Sequence, residues 1–141
     1  MRTDPGGAPH WATVLPSARL RRLAPVLDLA ALALFVAIGR ESHGIGSGLG
    51  WYVKVLWPFV AGWFAVALVV RLYTATSQPW VRLVTTWGLG IALGLVLRAG
   101  ITHRESLSTF TVVVYVFTGL MTFGWRAVVL GVRRLVPVTR G

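Results

Sequence analysis

The chain has 141 residues, 55% hydrophobic and 13% charged, with mean hydropathy +0.70, formal charge +10 and pI near 11.8. Such a composition excludes an ordinary soluble domain, and the absence of cysteine excludes disulfides, thiolate chemistry and Cys-ligated zinc or iron–sulfur centres. The basic residues stand singly or in pairs at the ends of apolar runs, which is a pattern of membrane orientation and argues against nucleic-acid binding.

Residues 1–22 carry Gly, Pro and polar residues and then Arg19, Arg21 and Arg22, and they read as a flexible basic tail. A helix rises about 1.5 Å per residue, so an apolar layer of about 30 Å needs about 20 residues. Four segments approach that length: 23–39, 51–72, 82–101 and 107–132, followed by a basic tail at 133–141. The spacing predicts an all-α, four-helix transmembrane bundle. RLRRL resembles the start of a signal peptide, but the apolar run is long and no A-x-A site follows it, so the first span is read as a retained anchor. Pro25 suits a first helical turn, Pro58 opens or kinks the second helix, and Ser77 with Pro79 precedes the third. Ser106 or Ser108 can cap the fourth. Trp51, Tyr52 and Trp57 are expected in an aromatic belt at one surface, with Tyr73, Trp80 and Trp125 at the other.

Orientation follows from the arginines. Arg2, Arg19, Arg21, Arg22, Arg71, Arg82, Arg133, Arg134 and Arg140 fall on one side, against Arg40, Lys54, Arg98 and Arg104 on the other. The positive-inside rule then places both termini in the cytoplasm, in a multi-pass protein of the cytoplasmic (inner) membrane.

Two short matches recur along the chain. Arg40-Glu41-Ser42 returns as Arg104-Glu105-Ser106, and Gly62-Trp63 returns as Gly124-Trp125 with a similar Ala, Val and Leu pattern behind it. One reading is a tandem duplication of a helical hairpin, in parallel repeat; the other is coincidence among Val-, Ala- and Leu-rich helices. Gly90-x-x-x-Gly94, Ala127-x-x-x-Gly131 and Ala30, Ala33 and Ala37 offer small surfaces for helix approach, within the chain or between copies.

Asp28 and Arg126 are the charges that membrane physics makes expensive. Counted from the flanking arginines, each lies about 10 Å into its helix from the same side, which makes them expected partners. Such a pair reads first as a packing clamp, with a proton or ion relay as the alternative. On the opposite side Arg40, His43, Arg98, His103 and Arg104 gather at two loops. They read as interfacial residues, or as an anion or lipid-headgroup site in which the arginines grip phosphate or carboxylate. No spacing typical of a zinc centre, nucleotide loop or catalytic triad is present, so no cofactor, metal or catalytic residue is expected.

Asp28, F-x-x-x-G-R-x-S-H across Phe35–His43, Pro58-Phe59, Arg98 and Gly124-Trp125-Arg126 together resemble a family of small prokaryotic membrane proteins, domain of unknown function 3054 (DUF3054), over about residues 24–135. The resemblance implies a four-helix membrane protein and brings no activity or site residues. The expected function is a non-enzymatic binding or structural component of the membrane. Its partners would be lipids, with further copies or other membrane proteins. The alternatives are an oligomeric small transporter or channel and a lipid-active enzyme.

Overall fold

A computed structural model describes residues 18–42, 48–102 and 109–135. Four helices follow in order: α1 Ala18–Ser42, α2 Leu49–Val69, α3 Pro79–Thr102 and α4 Thr109–Leu135. No strand occurs among the described residues. All four helices are long and apolar enough to cross a membrane, over Arg19–Gly39, Leu49–Val69, Pro79–Ile101 and Phe110–Val132. The chain is therefore an all-α four-helix bundle that fits a multi-pass membrane protein.

The distribution of polarity supports that assignment. Leu68, Val69, Val96, Leu120 and Val128 face outward, Val69 with 83% of its surface exposed, while Asp28, Thr86, Thr118, Thr122 and Arg126 are buried. Water would penalise the exposed side chains, whereas hydrocarbon penalises the polar ones, so the arrangement suits a lipid surround. Between the helices Leu32, Phe35, Phe59, Trp63, Leu83, Ile91 and Val114 form the packed centre.

The helices begin and end differently from the sequence expectation. α1 starts at Ala18, so residues 18–22, expected in the tail, are helical, and Pro25 falls inside the helix rather than in its first turn. Proline at 25 leaves the Arg21 carbonyl without its usual intrahelical donor, a modest loss close to a helix end. Pro58 likewise lies within α2. α3 opens on Pro79, whose fixed φ suits a first helical position. α4 runs to Leu135, which takes residues 133–135 from the expected tail. Ser106 and Ser108 lie outside the described residues.

α2 stops in a Schellman turn. Arg71 adopts φ 54°, Leu72 N–H donates to the Ala67 carbonyl at 2.9 Å and Arg71 N–H to the Leu68 carbonyl at 3.1 Å. Arg82 reaches back from α3 to donate to the Val70 carbonyl, and its Nε donates to the Ser77 carbonyl at 2.8 Å. A guanidinium thus satisfies the carbonyl end of α2 and closes the short α2–α3 connection, where cation and helix dipole agree in sign.

The tightest helix approach is α2 against α3. A Cβ on Gly62 would stand 2.4 Å from the Gly90 carbonyl oxygen and 2.6 Å from the Gly94 nitrogen. Gly90-x-x-x-Gly94 is therefore filled by α2 of the same chain. The other small-residue surfaces do not interlock in this way: Ala30 and Ala127 are exposed, and a Cβ on Gly131 would meet nothing within 4 Å. The closest contact thus joins the second helix of one expected hairpin to the first helix of the other.

Candidate functional site

Asp28 on α1 and Arg126 on α4 lie at the end of the bundle that also holds the α2–α3 turn. The guanidinium grips the carboxylate with two parallel bonds, Nη1 to Oδ1 at 2.7 Å and Nη2 to Oδ2 at 2.8 Å. Both side chains are essentially inaccessible. Trp125 Nε1 donates to Oδ1 at 3.0 Å and the Tyr73 hydroxyl to Oδ2 at 2.8 Å. Trp63 Nε1 in turn donates to the Tyr73 oxygen at 2.9 Å. Arg126 Nη1 also donates to the Thr122 carbonyl at 2.9 Å, and its guanidinium carbon lies 4.2 Å from the Trp125 ring centroid.

The carboxylate thus receives four donors from α4 and the α2–α3 turn. An ionised carboxylate offers about four lone-pair sites, so its accepting capacity is filled. Buried ions persist only when paired and hydrogen-bonded, and the bidentate fork is the strongest such geometry. Saturation on this scale holds helices together and leaves no open acceptor for a passing ion. The buried threonines behave alike: Thr86 Oγ1 donates to the Arg82 carbonyl at 2.8 Å, and Thr118 and Thr122 donate to Val114 and Thr118 carbonyls at 2.6 Å. Burial, and next to it the Asp28 charge, push the Tyr73 phenol well above its usual range, which keeps it protonated as a donor.

Tyr73 and Trp125, expected in an interfacial belt, instead turn inward to this node, and Tyr52 donates its hydroxyl to the Ala33 carbonyl at 2.5 Å. Trp57 and Trp80 remain outward, about two-fifths exposed each. Burial of the Asp28 carboxylate explains the difference, because indole and phenol donors satisfy it where water does not reach. Sequence reasoning missed Tyr73 and Trp125 as partners of Asp28, and Trp63 as the donor behind Tyr73. The repeated Gly-Trp pair was the available signal, since both tryptophans converge on one polar cluster.

The opposite end holds a cavity of about 280 Å³. Phe35 and Gly39 line it from α1, Trp51 and Val55 from α2, and Val113 and Phe117 from α4. Those spacings put each set on one helix face. Arg98 of α3 is the charged residue of the lining, and its guanidinium carbon lies 4.0 Å from the Phe110 ring centroid. Arg40 falls on the last turn of α1, while His43, His103 and Arg104 lie outside the described residues. Among the described residues no group of His, Asp or Glu is arranged to hold a metal.

No curated protein and no solved structure matches the chain. A family model described as "Protein of unknown function (DUF3054)" matches residues 25–129, a span that runs from Pro25 through Asp28, Arg98 and Arg126, and the chain belongs to that family.

Proposed function

We propose that the protein is a non-enzymatic binding component of the cytoplasmic membrane, with both termini in the cytoplasm and a site for an anionic lipid headgroup at its Arg98 end. The carrying observation is the position of Arg98, a guanidinium on the wall of an otherwise apolar cavity. Stacking on Phe110 holds the guanidinium plane, and a planar fork is suited to phosphate or carboxylate. Charge counting supports the orientation, because nine basic residues flank the Asp28 end and four the Arg98 end. The saturated Asp28 cluster and the self-bonded threonines favour a packed centre over a polar conduit.

Native mass spectrometry from mild detergent tests this reading. Discrete anionic lipid adducts should accompany the wild-type protein and fall away in Arg98→Ala. Equal adducts on both proteins would remove Arg98 from the site.

A further inference from the structure

We propose that the Arg98 cavity takes a single hydrocarbon chain carrying an anionic head, a fatty-acid-like or monoalkyl phosphate amphiphile, and that the cavity limits the length of that chain. This rests on the headgroup reading above and adds the chemistry of the ligand's other half.

Three observations carry it. First, the cavity's lining is hydrocarbon and aromatic apart from Arg98, so its interior suits a chain while the guanidinium suits a charged head. Second, its volume is about 280 Å³. That lies at the small end of ligand pockets, which run from about 300 to 1,000 Å³, and suits one chain better than the two tails of a diacyl lipid. Third, the cavity has a floor. Phe110 and Phe117 are seven residues apart on α4, which sets a depth of about 10 Å from the Arg98 level. There the Phe35 ring approaches Phe117, centroids 6.5 Å apart, and meets Phe59 edge-on at 6.1 Å. Phe35 and Phe59 belong to the packed centre, so a longer chain meets close-packed rings rather than further space.

The full chain in phosphatidylcholine nanodiscs allows a direct test. Decyl phosphate, decanoate, octadecyl phosphate, inorganic phosphate and diacyl phosphatidylglycerol are titrated separately. Binding is read from the saturable rise in Tm, and from tryptophan quenching by a chain-brominated decyl phosphate. Decyl phosphate and decanoate should bind at least tenfold tighter than octadecyl phosphate or inorganic phosphate. Gly39→Phe should weaken decyl phosphate by tenfold or more while leaving the response to inorganic phosphate. A Cβ at position 39 meets nothing within 4 Å, so the added ring can enter the cavity without a backbone clash. Val55→Phe, on a different helix, repeats the test if the first variant folds poorly. Loss of a charge-assisted contact in Arg98→Ala should weaken both anionic heads by about tenfold or more.

Equal binding of inorganic and decyl phosphate, or unchanged decyl phosphate binding in a folded filling variant, would overturn the chain and leave the headgroup reading. Preferential binding of diacyl phosphatidylglycerol would overturn the single chain alone. If no anion binds, or Arg98→Ala changes nothing, both readings fall.

Discussion

Arg126 holds Asp28 through both terminal nitrogens of its guanidinium, at 2.7 and 2.8 Å, across 98 positions of sequence. The two residues lie on the first and last helices, so this contact closes the ring of the bundle. Trp125, next to Arg126, and Tyr73, just beyond α2, complete the shell of the same carboxylate. One buried acid thereby ties α1 to α4 and to the α2–α3 turn.

Removing one member of this pair leaves the other charge buried without compensation. Asp28→Asn or Arg126→Gln should each destabilise the fold by about 3–5 kcal/mol. The double variant should recover a substantial part of that loss, because neither charge remains. Unfolding in mixed micelles measures the coupling; strictly additive losses would show that the pair is not a unit.

Tyr73→Phe removes a donor to Asp28 and leaves the Trp63 indole without its acceptor. A loss of about 1–3 kcal/mol is expected. The same residue predicts an alkaline limit. Its folded pKa lies above the ordinary value of 10.0, so the protonated phenol stabilises the fold fully below pH 10.0, and the contribution is lost as pH rises beyond it. Ultraviolet titration should find a tyrosine that resists ionisation in the native protein and titrates normally after denaturation. Tyr73→Phe should lower the number of resistant tyrosines by one.

Two glycines that occupy matching places in the sequence repeat should respond in opposite directions. Gly62→Ala drives a methyl into the Gly90 carbonyl and the Gly94 backbone, and should cost about 1–3 kcal/mol. At Gly124 an added Cβ meets nothing within 4 Å, so Gly124→Ala should be neutral or gain about 0.5–1 kcal/mol from helix propensity. Thermal unfolding of the two variants separates them; equal effects would mean that the α2–α3 approach is looser than described.

Topology can be read directly because the chain has no cysteine of its own. Thr76→Cys in the α2–α3 turn and Gly48→Cys before α2 occupy opposite ends, and both positions are exposed. With cytoplasmic termini, an impermeant thiol reagent added to intact cells should label position 48 and spare position 76. The reverse pattern would invert the proposed orientation.

Apolar run length and arginine placement determined by themselves that this chain forms four long helices suited to a membrane. Backbone polar groups in hydrocarbon must be satisfied within the helix, and charged side chains are driven to the span ends. Asp28 and Arg126 were legible as partners for a related reason, since isolated charges at matching depth have nowhere else to go. The sequence was less informative about which way the aromatics turn. Trp51, Tyr73 and Trp125 carry the composition of an interfacial belt, yet the structure uses Tyr73 and Trp125 to saturate a carboxylate and Trp51 to wall a cavity. The glycine patterns were similarly undecided, because Gly90-x-x-x-Gly94 and Ala127-x-x-x-Gly131 look alike until Gly62 is seen filling only the first. Only tertiary packing settles such choices. A side chain's role in a bundle depends on the helix rotation that brings a partner to it, and hydrophobic patterning is weak where both the surround and the core are apolar.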